Sequence, residues 1–141
     1  MRGQTRAEAI ARAAHAGQVD KTGHPYIDHP ARVAARVQGN AQLEAIAWLH
    51  DVVEDTTVTL DDLRLEFPDE IVDAVDALTK RPGETRQDYY ARVRQNTRAL
   101  QVKHADIDDN TDPARTALLD ETTRARLAQK YAAAREALAD V

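Results

Sequence analysis

Cysteine is absent from this sequence. That absence excludes a disulfide framework and a thiolate metal site, so any bound metal must be held by imidazole and carboxylate groups. Long apolar runs are also missing. No stretch approaches the roughly 20 residues that span a bilayer, and the N-terminus lacks the apolar segment of a secretory signal. We therefore expect a cytoplasmic protein without a membrane partner.

Neither sign of charge dominates the chain. Nineteen Lys and Arg stand against 24 Asp and Glu, for a formal charge of -5, with no basic stripe and no acidic tail. Non-specific nucleic-acid binding draws its affinity from clustered Lys and Arg, so we expect no nucleic-acid partner. Any phosphate group that the protein binds must instead contact a few side chains of a local site, as a small-molecule ligand does. The length of 141 residues suits one domain over residues 1–141 with a core of its own.

Helical patterns account for most of the sequence, and no segment alternates with the period of a strand. Capping residues, apolar spacing and Pro or Gly breaks set the bounds. We predict an all-α bundle of seven or eight helices, with exposed loops near residues 18–28 and 80–84. The predicted helices cover residues 5–15, 30–37, 42–53, 59–67, 69–79, 85–93, 98–110 and 121–139.

The segment Leu49–Thr56 places polar groups in an otherwise apolar run. On a continuous helix His50, Asp51, Glu54 and Asp55 would fall within one arc of about 140°, opposite an apolar face. Carboxylates beside a buried helix cost several kcal/mol unless a cation or hydrogen bonds compensate them. A bound metal would supply that compensation, whereas an ordinary solvated helix face is the alternative.

Three separate elements offer ligands for such a metal: His29 at a helix start, the pair His50 and Asp51, and Asp106. Two imidazoles with two carboxylates suit Mn²⁺, Fe²⁺ or Zn²⁺, and carboxylates favour Mn²⁺. A divalent ion lowers the pKa of a bound water and polarises a phosphoryl oxygen. This combination indicates a hydrolytic phosphate site.

Five short motifs, taken in order and spacing, resemble the HD-domain metal phosphohydrolase superfamily. Within it they are similar to the (p)ppGpp hydrolase domain of the RelA/SpoT family, particularly its small stand-alone hydrolases. The resemblance extends from about residue 5 to about residue 112. The motifs are Ala14–Gln18, Lys21–Gly23, Pro25–Pro30, Leu49–Thr56 and Lys103–Asn110.

The resemblance implies an HD-type helical domain and a Mn²⁺-dependent 3′-diphosphatase of guanosine 3′,5′-bis(diphosphate). Such an enzyme releases pyrophosphate through attack by metal-bound hydroxide. It implies roles for nine residues: His29, His50, Asp51 and Asp106 as metal ligands, Glu54 and Asp55 as groups that orient or deprotonate the attacking water, and Lys21, Lys103 and Asn110 as contacts to phosphates and ribose.

One position departs from the family pattern. The family usually has a basic residue before the loop lysine, but this chain has Asp20 before Lys21. A carboxylate there repels phosphate, so two alternatives stay open: a phosphohydrolase for another nucleotide or phosphoester, and a nucleotide-binding helical domain without catalysis. If the alarmone is the substrate, Asp20→Arg is expected to preserve or improve activity.

The remaining polar residues are assigned ordinary roles. We predict that His15 packs between helices and is not a ligand, because the metal set is complete without it. Of the neighbouring Asp108 and Asp109, the second is the more favourable for a site contact. The segment 121–139 has the apolar spacing of a bundle helix, and a homodimer formed through it stays open.

Overall fold

The computed structural model describes residues 5–139, and regular structure in that range is helical. No strand occurs there; an isolated antiparallel bridge between Val19 and Pro25 closes the first long loop. The all-α prediction is confirmed. The helices are α1 Arg6–Ala14, α2 Asp28–Arg36, α3 Ala41–Leu49, α4 Val52–Asp55, α5 Leu60–Arg64, α6 Asp69–Leu78, α7 Arg86–Arg94, α8 Thr97–Asn110, α9 Pro113–Thr116 and α10 Glu121–Ala139.

Side-chain caps begin several of these helices where the sequence predicts them. The Thr5 hydroxyl accepts a hydrogen bond from the backbone N–H of Glu8 at 3.2 Å. The predicted cap Thr59 forms a reciprocal capping box with Asp62 at α5. The side chain of Asn40 also caps α3, although it was not predicted as a cap. Each cap satisfies an N–H group that has no partner inside its helix, which is why these starts can be predicted locally.

Helix α3 lies at the centre of the bundle, where it packs against α1, α2, α6 and α8. Ile46 and Leu49 of this helix are fully buried, as are Val72 and Val75 of α6. Burying such side chains contributes about 1.5–3 kcal/mol each. Because α3 is central, its C-terminal end lies inside the molecule, next to the helices that carry His29 and Asp106.

The predicted continuous helix over residues 42–53 is wrong. Helix α3 ends at Leu49, and α4 begins at Val52. Nδ1 of His50 lies 2.6 Å from the carbonyl oxygen of Ala47, where the ring N–H satisfies an acceptor of the last turn. Asp51 keeps right-handed dihedral angles, with φ -108° and ψ -1°, although they depart from ideal helical values. His50 and Asp51 therefore form a two-residue turn that separates α3 from α4.

The two predicted loops and one short extra helix complete the description of the fold. The predicted loops are confirmed, since residues 15–27 and 79–85 lie outside the helices. Helix α9 was not predicted; Asp112 caps it, and proline occupies its first turn. Together with the break after α3, it gives ten helices in the described range where the sequence predicts seven or eight. None of the helices in residues 5–139 is long and apolar enough to cross a membrane.

Candidate active site

Two imidazoles and a carboxylate meet at the end of α3. One ligand-competent atom from each of His29, His50 and Asp51 lies within 4.8 Å of the other two. Oδ2 of Asp51 is 3.0 Å from Nε2 of His50 and 3.9 Å from Nε2 of His29. Both histidines are buried. The turn between α3 and α4 brings this carboxylate to the imidazoles.

Asp106 approaches the same point from α8. Its Oδ1 lies 2.8 Å from Nε2 of His29 and 3.4 Å from Nε2 of His50. The structure therefore brings together all four side chains that the sequence predicts as metal ligands. Both imidazoles direct Nε2 at the cluster. Nδ1 of His29 contacts Asp109, and Nδ1 of His50 contacts the carbonyl oxygen of Ala47, both outside the cluster.

The donor set fits a divalent cation. Nε2 of His50 is buried and has no aligned hydrogen-bond partner within residues 5–139, although Oδ2 of Asp51 is 3.0 Å away. A buried imidazole nitrogen that faces carboxylates can exchange its proton for a cation, and imidazole with carboxylate is the donor set of an N/O-ligated ion. His29, His50, Asp51 and Asp106 are the residues that could hold such an ion.

Charge is concentrated around this cluster. Burial opposes ionisation of Asp106, but Lys103 and the two imidazoles hold the pKa of this carboxyl well below its ordinary value. Burial likewise disfavours the charged form of His50, yet Asp51 and Asp106 raise the pKa of this imidazole well above its ordinary value. The two carboxylates are therefore ionised at neutral pH and attract positive charge to the point where they meet.

Tyr26 supports the cluster from the first loop, and the sequence analysis missed it. Its hydroxyl donates a hydrogen bond to Oδ2 of Asp51. Burial and then the charge of Asp51 raise the pKa of this phenol, so it remains a donor. Its position inside the motif Pro25–Pro30 was the available signal. The buried His15 packs against its ring at a centroid distance of 5.0 Å, as predicted for a packing residue.

Glu54 and Asp55 lie on α4, at the edge of the cluster. Oε1 of Glu54 accepts a hydrogen bond of 2.8 Å from the backbone N–H of Lys80, which ties α4 to the second loop. Burial, followed by the charges of Asp51 and Glu54, raises the pKa of Asp55 to about 6. Asp55 therefore changes protonation close to neutral pH, as a group that exchanges protons with a substrate or water must.

A cleft of about 570 Å³ extends from this cluster to α9 and α10. Lys21, Arg115 and Lys130 bring positive charge to its wall, and Leu127 and Tyr131 supply apolar surface. Burial and then the charges of Lys103, Lys21 and Arg86 lower the pKa of Lys130. The cleft thus joins an acidic, metal-competent end to a basic wall.

The predicted substrate contacts divide into two groups. Lys21 and Asn110 line the cleft. Lys103 instead pairs with residues of the protein: its Nζ lies 3.0 Å from Oδ2 of Asp106 and 5.3 Å from the ring centroid of Tyr89. Asn110 also donates a hydrogen bond of 3.2 Å to Oδ1 of Asp106. In this arrangement Lys103 holds a carboxylate of the cluster and does not face the cleft.

The unusual Asp20 stabilises its own loop. Its Oδ1 accepts hydrogen bonds from the backbone N–H groups of Thr22 and His24, at 2.8 and 3.0 Å, and from the Thr22 hydroxyl at 2.7 Å. Its Oδ2 is 3.6 Å from Nη2 of Arg115. The guanidinium from α9 therefore offsets the negative charge that the sequence places before Lys21.

The family model for the HD domain matches residues 7–106. This range covers most of the chain, including the four clustered side chains, and the protein belongs to the HD domain family. Members of this family bind divalent metals, and the His and Asp cluster is able to hold one.

Curated relatives contain a stretch similar in sequence to this chain inside much longer proteins. The guanosine-3′,5′-bis(diphosphate) 3′-pyrophosphohydrolase of Haemophilus influenzae is 40% identical over 118 residues, which are 76% of this chain and 17% of that protein. A probable GTP pyrophosphokinase of Mycobacterium leprae is 37% identical over 113 residues, or 72% of this chain and 14% of that protein. This chain therefore spans less than a fifth of those relatives' own length.

A solved structure shares the fold. It is described as a metazoan ortholog of SpoT that hydrolyses ppGpp and plays a role in starvation responses. The two superpose with a TM-score of 0.77 at 21% sequence identity, covering 94% of this chain and 83% of the other. The HD-type helical fold predicted from the motifs is confirmed.

Proposed function

We propose that this protein is a divalent-metal-dependent phosphohydrolase that converts guanosine 3′,5′-bis(diphosphate) and water to GDP and pyrophosphate. The observation that carries the proposal is the convergence of His29, His50, Asp51 and Asp106 at the head of a cleft with a basic wall. The names of the relatives support the choice of nucleotide.

The four clustered side chains would hold the ion. Mn²⁺ is the ion we propose, because a set of two imidazoles and two carboxylates without thiolate suits it. When bound, such an ion lowers the pKa of a water and neutralises charge on the phosphoryl oxygens. Tyr26 keeps Asp51 oriented toward the imidazoles through its hydrogen bond, and Lys103 does the same for Asp106.

Asp55 and Glu54 are the proposed proton-transfer and water-orienting groups. Both line the cleft beside the cluster. The pKa of Asp55, raised to about 6, lets its carboxylate accept a proton at neutral pH and return it to the leaving oxygen. Glu54 is held by the backbone of Lys80 at 2.8 Å, so its second oxygen is free to orient the attacking water.

The wall of the cleft supports a substrate with several phosphates. Lys21, Arg115 and Lys130 present cationic groups there, and an anion with two separated diphosphates would neutralise them. Tyr131 and Leu127 provide apolar surface for a base. Tyr89 is not available for stacking, because it is buried and its hydroxyl donates to the carbonyl of Leu78.

The direct test is hydrolysis of guanosine 3′,5′-bis(diphosphate) by the full chain loaded with Mn²⁺. We expect GDP and pyrophosphate in equal amounts, and no turnover by His50→Ala. His104→Ala is the matched control, since it removes a partly buried imidazole from α8 outside the cluster. Absence of release by metal-loaded protein would reject the proposed reaction.

A second candidate is hydrolysis of another nucleotide or phosphoester. The position of Asp20 at the lip of the cleft favours it, because this carboxylate stands where the family usually has a basic residue and pairs with Arg115, a cation of the cleft wall. A panel of nucleoside diphosphates, nucleoside triphosphates and phosphodiesters separates the two. Turnover of one of these with none of the guanosine bis(diphosphate) would establish this alternative.

A further inference from the structure

Asp109 is a fully buried carboxylate that the proposed reaction does not use. It lies on α8 one turn after Asp106, and His29 separates it from the centre of the cluster. Its Oδ2 is 2.6 Å from Nδ1 of His29, and its Oδ1 is 2.9 Å from Nε of Arg32. Nη1 of Arg115 lies 3.0 Å from Oδ2. A buried carboxylate is tolerated only with such partners.

The contact with His29 selects one form of the ring. A carboxylate accepts hydrogen bonds, so the nitrogen that faces Asp109 carries a proton. The other nitrogen, Nε2, is the atom that lies 2.8 Å from Asp106 and 3.9 Å from Asp51. Without an ion, Nε2 also carries a proton that it donates to Asp106, and a bound ion would displace that proton. Because Asp109 retains the proton on Nδ1, the ring is then neutral and directs the lone pair of Nε2 at the cluster. The opposite tautomer would present an N–H group to the ion and could not bind it.

The arginines fix the carboxylate in turn. Arg32 contacts one oxygen of Asp109 and Arg115 contacts the other, so the carboxylate cannot rotate away from the ring. Arg115 also lies 3.6 Å from Asp20 in the loop that carries Lys21. The same guanidinium therefore connects the loop at the lip of the cleft to Asp109, the carboxylate that contacts His29.

We propose that Asp109 is a positioning residue that holds His29 in the Nδ1-protonated tautomer, with Nε2 directed at the metal. Arg32 and Arg115 keep the carboxylate in that orientation. This inference rests on the metal site of the proposed function. The competing explanation is that Asp109 only anchors two arginines and stabilises the bundle, with no effect on the metal.

Metal affinity distinguishes these explanations. Asp109→Asn keeps the shape of the side chain but removes its charge, and we expect Mn²⁺ binding by the full chain to weaken by about 10–100-fold, the usual effect of losing a partner of a metal-bound histidine. Asp108→Asn is the matched control: it removes a charge one residue away and an ion pair of 3.0 Å to Arg135. The control should bind Mn²⁺ as the natural protein does. Asp109→Asn with natural affinity and only a lower Tm would overturn the inference.

A second measurement needs no variant. ¹⁵N NMR of the full chain loaded with diamagnetic Zn²⁺ should show the His29 proton on Nδ1 and coordination through Nε2. Coordination through Nδ1, or a proton on Nε2, would reject the positioning role even if Asp109→Asn fails to fold. Failure of the natural protein to bind Mn²⁺ or Zn²⁺ would instead reject the proposed metal site, and this inference with it.

Discussion

The hydroxyl of Tyr26 donates a hydrogen bond to Oδ2 of Asp51, the same oxygen that lies 3.0 Å from Nε2 of His50. A loop residue thus holds a carboxylate that belongs to the junction of α3 and α4. Since hydrogen bonds to charged groups contribute about 1.5–3 kcal/mol, this contact is strong enough to set the position of Asp51.

Tyr26→Phe is therefore expected to weaken Mn²⁺ binding by roughly tenfold or more while preserving the fold, because the ring that packs against His15 and His29 is retained. Isothermal titration calorimetry measures the change, and circular dichroism checks the fold. Tyr90→Phe serves as the control, since that tyrosine is buried outside the cleft. Equal affinities of Tyr26→Phe and the natural protein would show that the hydroxyl does not position Asp51.

Metal should stabilise the folded chain. An ion that binds only the folded state raises the free energy of unfolding by about 2.7 kcal/mol at a hundred times its Kd. We expect Mn²⁺ to raise Tm, a chelator to reverse the rise, and His50→Ala to abolish it. Differential scanning calorimetry gives the comparison, with His104→Ala as the control. A rise in Tm that persists in His50→Ala would place the ion elsewhere.

Activity should fall as the pH drops through about 6, where Asp55 becomes protonated and can no longer accept a proton. The pH profile of kcat/KM tests this, and Asp55→Asn should lower the rate and remove that acidic limb.

The contribution of Asp55 to stability depends on pH in the opposite direction from its contribution to activity. Because folding raises the pKa of Asp55, its ionisation disfavours the folded state, so its stabilising contribution is lost as the pH rises through 6.

Asp55→Asn should accordingly raise the free energy of unfolding at pH 8 relative to the natural protein and leave it nearly unchanged at low pH. Urea unfolding at the two pH values measures this difference. A variant that is less stable at pH 8 would contradict the electrostatic account of this position.

If Lys130 contacts phosphate in both the bound substrate and the transition state, as its place on the cleft wall leads us to expect, Lys130→Ala should raise KM by roughly tenfold with a smaller effect on kcat. Steady-state kinetics with guanosine bis(diphosphate) separates the two constants. Arg126→Ala is the control, since Arg126 is an exposed cation of α10 outside the cleft. A large loss in kcat at unchanged KM would contradict a binding role for Lys130.

The geometry of Asp20 changes the expectation for Asp20→Arg. This substitution removes the acceptor of three hydrogen bonds in the loop and places a second cation against Arg115. We expect a loss of about 1–3 kcal/mol in stability and a higher KM, where the sequence alone suggests preserved or improved activity. Asp20→Asn, which keeps an acceptor without the charge, should lose less. Improved turnover by Asp20→Arg would contradict this prediction and agree with the expectation from the sequence alone.

Most of the fold and the four clustered side chains were predictable because their signals are local. Caps such as Thr5 and Thr59 act within one helical turn, and the apolar spacing of α6 marks its buried face. The break after Leu49 was not predictable, since residues on both sides favour a helix. It accompanies the contact between Nδ1 of His50 and the carbonyl of Ala47, which helical spacing does not predict.

The partners of the groups that support the site were harder to predict. The sequence favours Asp109 over Asp108 for a site contact, but only the folded chain shows that this carboxylate contacts His29 and that Arg32 and Arg115 pair with it. The family resemblance implies a phosphate contact for Lys103. Its position three residues before Asp106 on α8 instead lets the two side chains pair directly, at 3.0 Å. Helical spacing predicts nearness but does not say which partner a charge will take.

Because Arg115 contacts both Asp20 and Asp109, the three positions should have evolved as a set. A descendant that acquires a basic residue at position 20 leaves this guanidinium facing a like charge, and a change at 109 leaves it without its buried counterion. We expect aligned homologues to show correlated exchange at these three positions: a basic residue at position 20 should accompany loss of the arginine at position 115, and loss of that arginine should accompany loss of the acid at position 109.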